Sequence, residues 1–583
     1  MAGKDNARNL SQPTSNRDAY VTLAIVGCVL GVTWGYSLCR LIALRVAGDS
    51  TTSVDWNPIV IVISIAKGHG QWGMIETLVA VGALAIVAAL ITGIMALNKA
   101  VAKPEKKTRV DHVTKHLASK SDIKSLSKDA AAATAQRLHG EDFAEHHPGL
   151  RFGHEVSTGI GLYGGWEDLH LVIAGPRIGK TTSSVIPAII EAPGAVVTTS
   201  NKGDIVRDTI ALAQHRGQDW VFDPQELSPI GNHAWFYDPL SYIRSDENNM
   251  DAAASALASM FASPYMPKNG GGDSYFPSSA RTLLTGLLLA AAVRNLPISE
   301  VLLWANNERD REPLDLLGEY PEFDFWRKTL TGIYDLTEKT RSGVFGQAQN
   351  MVNVFARAEV RKWVEPNPGR TEFVPADFVR DAQPTLYLLS KEGPRSVGIL
   401  TTILTVAVME AAEAYGEAQH NGRLPVPMVC ALDECANTVL WEELPNVVSH
   451  YGSRGIILLV YLQSYSQGIN CWGKEKMEAL WSAMTIKCVG GGISDEELTK
   501  RLSELIGTHE EYQSSTSRGS SGDRSTSRSV REKTTMTPAE IAALPKGRWI
   551  IQSVGRRPMI GVTEPFFQRK WDQETSSLLN ISA

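Results

Sequence analysis

Three kinds of hydrophobic pattern follow one another along the chain. The first is two long uncharged runs. Between Ala19 and Cys39, and again between Thr77 and Asn98, no residue is charged and most are apolar. Each run has about the length that carries a helix across a hydrocarbon core of roughly 30 Å. A soluble helix keeps a polar face over such a length, and the apolar part of a signal peptide is shorter. Both runs therefore read as transmembrane helices, forming an amino-terminal hairpin. The apolar stretch from Asn57 to Ala66 is too short to span.

The second pattern is a series of strand-sized apolar runs, each closed by small or polar residues. Asp168 to Ala174, Gly194 to Thr199 and Trp220 to Phe222 are the first three. Helical stretches separate them, which predicts a parallel sheet covered by helices on both faces. The third pattern begins near Asn248. From there to about Phe378 the rhythm is helical, as in Met250–Phe261, Ser278–Val293 and Ser342–Ala358. The strand pattern resumes at Thr385–Ser390 and is followed by a long helix, roughly Ser396–Glu417. Further strands are predicted at Val426–Leu432, Gly455–Leu462, Met484–Val489 and Trp549–Val554. Thr537 reads as the cap of a short helix with Pro538 at its first position. Residues 513–534 are rich in Ser, Thr and Arg and read as a mobile loop.

This gives a membrane anchor over 1–110 and a linker over 111–160, the latter with an Ala-rich helical piece near Asp129–Leu138. An α/β domain follows in two parts, 161–247 and 379–583, divided by an all-α insertion over 248–378.

Composition changes this picture little. A chain of 583 residues holds several units, and 43% hydrophobic with 21% charged residues is globular in character. A net charge of −6 excludes a global nucleic-acid footprint, so any DNA contact is local. The six cysteines are scattered without a C-x-x-C pair, which argues for buried thiols rather than zinc or disulfides. His146 and His147 are adjacent and precede Pro148-Gly149, so they read as a turn rather than a metal site. Charge placement orients the hairpin. Lys4, Arg8 and Arg17 precede the first span, and Lys99, Lys103, Lys106, Lys107 and Arg109 follow the second, which places both termini in the cytoplasm.

The chemistry lies at the strand ends. The first strand runs into Ala174-Gly175-Pro176-Arg177-Ile178-Gly179-Lys180-Thr181-Thr182, a small-residue loop opening a helix. Such a loop turns backbone N–H groups toward an anion. Lys180 is placed to reach β- and γ-phosphates, and the Thr181 hydroxyl to hold Mg²⁺. The usual first glycine is Ala174 here, with Gly175 one place later. The run Val426–Leu432 enters Asp433-Glu434, the form of a Walker B strand. Asp433 would act on Mg²⁺, and Glu434 would orient the attacking water. Together these halves predict the binding and hydrolysis of ATP with Mg²⁺.

Gln463 ends the next strand, either as a γ-phosphate sensor or as part of a capped turn. Arg454 begins that same strand, at the opposite end from Gln463. It reads either as a surface arginine or, in a ring, as an arginine finger for a neighbour's nucleotide. Arg341 is a second candidate finger. The net positive loop 513–534 reads either as solvated surface or as a contact for a phosphate backbone.

The order of parts resembles the type IV secretion coupling proteins, the TraG/TraD family of conjugation ATPases. The matching motifs are Gly179-Lys180-Thr181, Asn201-Lys202-Gly203-Asp204, Phe222-Asp223-Pro224, Asp238-Pro239-Leu240, Leu432-Asp433-Glu434 and Gln463-Ser464. Departures are Ala174 and Ser200, where many members carry an acid. The resemblance implies a RecA-like P-loop NTPase, assembled as a homo-oligomer, a hexameric ring, at the inner membrane. It implies recruitment of single- or double-stranded DNA bound to a relaxase, or of other secreted proteins, and their delivery to secretion channel components. It also implies that the helical insertion faces the cytoplasm and takes part in substrate recognition. An FtsK-like double-stranded DNA translocase would share the ATP site, though no carboxyl-terminal winged helix is evident. A nucleotide-gated membrane scaffold that hydrolyses little is the alternative of a different class.

Overall fold

The computed structural model describes residues 108–581, apart from 231–233, 267–273 and 519–523, and isolated positions between 33 and 67. The chain divides into two compact units, Met1–Lys107 and Thr108–Ala583. In the first unit Thr33, Trp34, Gly35 and Ser37 are helical, as are Ile59, Val60 and Ile61. The remainder of the predicted span 19–39, and all of 77–98, lie outside the described residues.

The second unit is built on strands that, in chain order, are Leu150–Glu155 (β1), Gly161–Gly164 (β2), His170–Ile173 (β3), Val196–Ser200 (β4) and Asp219–Phe222 (β5). Trp235–Phe236 (β6), Thr371–Glu372 (β7), Thr385–Leu389 (β8), Met428–Leu432 (β9) and Ile456–Leu462 (β10) follow. The last are Ile486–Gly490 (β11), Thr508–Arg518 (β12), Arg524–Thr534 (β13), Arg548–Ser553 (β14) and Met559–Val562 (β15). Eleven strands form one sheet in the order β2-β1-β15-β14-β11-β3-β10-β9-β4-β8-β5.

From β11 to β5 all neighbours run parallel, and from β14 to β2 they run antiparallel. Every residue of β3, β4, β8, β9, β10 and β11 is buried. That is the signature of a parallel sheet covered on both faces, and it explains why these strands read as unbroken apolar runs. Alternate residues of β3 serve opposite cores. Leu171 and Ile173 enter a core shared with the helices Met250–Ala262, Tyr275–Val293 and Gly398–Glu417. Val172 and Ala174 enter a second core with Ile123, Trp166, Val185 and Ile189.

Strand register levels the sheet edge. Leu462 pairs with Ile173, and Val460 with Leu432. The loop after β3, Gln463 after β10 and Asp433 after β9 therefore emerge side by side. A strand carrying the acids, set one strand away from the phosphate-loop strand, makes this an α/β fold of the RecA-like kind.

Several expectations are corrected. Residues 111–160 are not a linker: β1 joins the sheet edge through β15, and Asp111 makes a buried two-pronged ion pair with Arg548 at 2.9 and 3.1 Å. Residues 513–518 and 524–534 are not loop: β12 and β13 form an antiparallel ladder from Thr508↔Thr534 to Arg518↔Arg524. Backbone pairing builds it, and the polar composition hid it. Arg454 does not begin β10 but ends the helix Leu444–Arg454, and Gly455 turns the chain at φ 78°. Among the described residues the segment from Met250 to Val364 is helical, but the insertion 248–378 is not all-α: β7 lies within it and pairs in parallel with β6.

Two described helices, Tyr275–Val293 and Gly398–Glu417, are long and apolar enough to cross a membrane, and each is 67% buried inside the protein. Leu283, Leu284, Leu287 and Leu288 of the first are fully buried in the core shared with the sheet. Burial of each such side chain contributes about 1.5–3 kcal/mol.

Candidate active site

Two close backbone approaches set the course of the loop after β3. The Gly175 N–H donates to the Gly491 carbonyl at 3.0 Å. A methyl group on Gly175 would stand 2.1 Å from the Gly492 carbonyl oxygen, so only glycine fits there. Ala174 is accommodated by the reverse arrangement. Its methyl faces Gly490, where an added Cβ would lie 2.8 Å from it. The irregular first position of the loop is thus matched by glycine on the neighbouring strand. Gly179 takes φ 99°, and Arg177 takes φ 62° in the left-handed region. Pro176 and Arg177 are exposed, while Ile178 and Thr182 are partly covered.

Lys180 folds into this cradle with its side chain 7% exposed. Its Nζ donates to the Ala174 carbonyl at 2.8 Å and to the Leu462 carbonyl at 3.2 Å, and lies 3.7 Å from Glu434 Oε1. Burial draws the ammonium below its ordinary pKa, opposed by Glu434 and Asp433. The Thr181 hydroxyl donates to Asp433 Oδ2 at 2.9 Å. The Asp433 backbone carbonyl is held by the hydroxyls of Thr199 at 2.8 Å and Thr438 at 3.1 Å. Burial, reinforced by the charge of Glu434, pushes the Asp433 carboxyl up to about 6.

Glu434 stands in the left-handed region at φ 52°. For a non-glycine residue this costs on the order of 1 kcal/mol and marks a position held by its surroundings. Its backbone N–H donates to Asp433 Oδ1 at 3.1 Å. Its carboxylate bridges Lys180 and Gln463, whose Nε2 donates to Glu434 Oε2 at 2.8 Å. The capping role at this turn falls to Ser464, which accepts the Gln467 N–H at 3.0 Å. Gln463 is thereby left to face the acid.

The fold brings Lys180, Thr181, Asp433, Glu434 and Gln463 together, and it does not bring Arg454. That side chain lies beyond the far end of β10, roughly 20 Å away at about 3.3 Å per residue over the strand's 7 residues. It donates to the Gly422 carbonyl at 3.1 Å and pairs with Glu417. Arg341 sits in the helix Glu338–Val352, bonded to the Tyr334 and Leu336 carbonyls at 3.1 Å.

Sequence reasoning missed two groups. The triplet Gly490-Gly491-Gly492 directly follows the predicted strand Met484–Val489, and glycines there signal a close backbone approach. Glu392, which accepts from Asn201 at 3.3 Å and from Asn437, lines a 530 Å³ cleft with Lys202, Lys391 and Gln463. The rule that ligands bind beyond the carboxyl ends of parallel strands would have pointed to it.

Residues 427–546 match the family model described as the TraM recognition site of TraD and TraG. That stretch contains Asp433, Glu434, Gln463, the glycine triplet and the β12–β13 hairpin. No curated protein matches the chain in sequence. Among solved structures, the bacterial conjugative coupling protein TrwBdeltaN70, unbound monoclinic form, aligns over 74% of this chain and 91% of its own, with 17% identity and a TM-score of 0.49. The plasmid coupling protein TrwB in complex with ADP and Mg²⁺ aligns over 70% and 87%, with 17% identity and a TM-score of 0.48. VirB4 of Thermoanaerobacter pseudethanolicus aligns over 72% and 97%, with 9% identity and a TM-score of 0.40. Through the match over 427–546, which supplies the acidic half of the site, this part of the chain is similar to the TraG/TraD coupling proteins.

Proposed function

We propose that the protein is a membrane-anchored ATPase that couples DNA substrate to a type IV secretion channel in conjugation. The observation that carries this reading is the convergence of Lys180, Thr181, Asp433, Glu434 and Gln463 at one sheet edge, three of them inside the family-matched segment. The loop N–H groups from Arg177 to Thr182 would cradle phosphate, and Lys180 would exchange its two carbonyl partners for phosphate oxygens. The Thr181 hydroxyl and Asp433 carboxylate, 2.9 Å apart, are the hard oxygen donors that suit Mg²⁺. When bound, Mg²⁺ supplies charge neutralisation at the transferring phosphoryl group. Glu434 polarises the attacking water, and Gln463 holds the Glu434 carboxylate in place.

The finer parts of the reading follow from the hydropathy and charge pattern for the hairpin and from the resemblance for the rest. The protein is held by the hairpin 19–39 and 77–98, with both termini cytoplasmic. It works as a hexameric ring on relaxase-bound DNA or secreted proteins, and the helices of 248–378 face the substrate. In such a ring Arg454 would have to leave Glu417 to serve a neighbour's nucleotide. A nucleotide-gated scaffold has no use for a carboxylate aligned by Gln463, which places hydrolysis ahead of that alternative.

Mating assays with donor cells carrying Glu434→Gln test the reading. Transfer should fall by about 100-fold or more while the protein accumulates normally. Unimpaired transfer would favour the scaffold. Processive movement of the purified protein along naked duplex DNA would instead favour an FtsK-like translocase.

A further inference from the structure

The helix leaving the phosphate loop is irregular at its first turn. Thr181–Val185 is a π-turn, with the Ile186 N–H reaching the Thr181 carbonyl, and the α-helix Ile186–Glu191 follows with Pro187 in its first turn. Proline has no N–H. The Ser183 carbonyl, four residues earlier, therefore lacks the donor a regular helix would supply. Losing a donor at a buried carbonyl is costly, and here a side chain supplies one.

It comes from 386 residues further along the chain: Arg569 Nη2 donates to the Ser183 carbonyl at 3.0 Å. The same guanidinium donates to Glu191 Oε1 at 3.2 Å, to the Arg151 carbonyl at 3.0 Å and to the Glu564 carbonyl at 3.3 Å. Glu191 Oε2 accepts the Arg151 N–H at 2.8 Å. One side chain thus grips the phosphate-loop helix at both ends and ties it to β1. The Arg569 side chain is 2% exposed. Burying a charge costs free energy that an apolar side chain of similar volume avoids, so packing alone does not call for arginine here. What arginine adds is a rigid fork able to serve three carbonyls and a carboxylate at once. Phe566 and Leu579 pack beside it on Ile186, Ile190 and Leu212, anchoring the carboxyl-terminal segment to this helix.

We infer that Arg569 is a positioning residue of the nucleotide site. By capping the Ser183 carbonyl it holds the π-turn and so fixes where Thr181 stands against Asp433. The inference rests on the assignment of Thr181 and Asp433 to Mg²⁺ given above. Arg569 acts through Ser183, two residues from Thr181, and its own contacts are all to protein.

The test uses the purified full chain and two readouts: Mg²⁺-dependent binding of a fluorescent ADP analogue, and steady-state ATP turnover at varied Mg²⁺ and ATP. The variants are Arg569→Lys, Pro187→Ala and the double variant, with Glu574→Gln as a control. Glu574 lies on the same segment, in an exposed pair with His215 at 3.1 Å. Arg569→Lys should raise the half-saturating Mg²⁺ concentration about tenfold or more, with KM for ATP changed no more than about twofold. Pro187→Ala returns an N–H to the Ser183 carbonyl, so the double variant should recover most of that loss. Glu574→Gln should match wild type. A wild-type Mg²⁺ dependence in Arg569→Lys would overturn the inference, as would a defect that Pro187→Ala leaves unchanged. Should Arg569→Lys fail to fold, Arg569→Gln is read in the same two assays. If the wild-type chain binds Mg²⁺-ADP but does not hydrolyse ATP, the hydrolytic reading fails while the binding assay still decides the role of Arg569.

Discussion

Gln463 and Glu434 meet side chain to side chain, the amide Nε2 donating to the carboxylate Oε2 at 2.8 Å from the ends of adjacent parallel strands. A carboxylate that must polarise water gains from a neutral donor fixing its second oxygen. Gln463→Ala should lower kcat about tenfold and leave KM for ATP nearly unchanged. Gln463→Glu should do more damage, because two carboxylates would then face each other. Steady-state kinetics over a range of ATP concentrations separates the two parameters.

The loop predicts an asymmetry between neighbouring positions. Ala174→Gly removes a methyl that faces Gly490, and should cost about 1 kcal/mol in stability while nucleotide affinity persists. Gly175→Ala drives a methyl to 2.1 Å from the Gly492 carbonyl oxygen. It should weaken nucleotide binding by about tenfold or more, because the cradle loses its shape. Titration with a fluorescent nucleotide, alongside thermal unfolding, distinguishes the two.

Lys180 is the buried ammonium of the site, and its partners in the protein are two carbonyls and Glu434. Lys180→Met should reduce ATP turnover by about 100-fold or more, since it removes the ammonium buried against the loop carbonyls. The folded structure should survive, because an apolar side chain of similar length fills the same buried volume. Circular dichroism and turnover measured on one preparation check both parts.

Asp433 gives the pH dependence its sign. Burial, with Glu434 adding to it, raises this carboxyl from 3.8 to about 6. The folded state therefore holds the proton more tightly than the unfolded state. The stability this group contributes is present below about pH 4 and is lost as pH rises through about 6. The difference in unfolding free energy between Asp433→Asn and wild type should grow across that window. At pH 7 the variant should be more stable by about 1–3 kcal/mol while losing Mg²⁺-dependent nucleotide binding. In the wild type that binding should fade below about pH 6, as the carboxylate protonates. Urea unfolding at a series of pH values measures the first effect, and nucleotide titration the second.

The parts of the fold legible in the sequence are those where an apolar run ends abruptly in polar residues. β3, β9 and β10 are buried throughout, so their ends stand out, and the groups at those ends are the ones the sheet brings together. What stayed hidden depends on partners distant in sequence. β1 and β2 carry glycines, β1 also carries Arg151, His154 and Glu155, and it acquires its place by pairing with β15. The β12–β13 hairpin carries few apolar residues, so hydrophobic periodicity has nothing to register. Arg454 precedes an apolar run and so looks like a strand start, but Gly455 is the left-handed residue that ends its helix. The Ser183–Arg569 contact joins a proline's missing donor to an arginine near the carboxyl terminus, and no local pattern encodes it.

The central claim is that Lys180, Thr181, Asp433, Glu434 and Gln463 form one Mg²⁺-dependent ATP-hydrolysing site. The most direct measurement is ATP binding and turnover, side by side, for the full chain and its Glu434→Gln variant. The wild type should show Mg²⁺-dependent hydrolysis, and the variant should bind ATP with affinity within about threefold of it yet hydrolyse it about 100-fold more slowly. Equal turnover by the two proteins would contradict the claim.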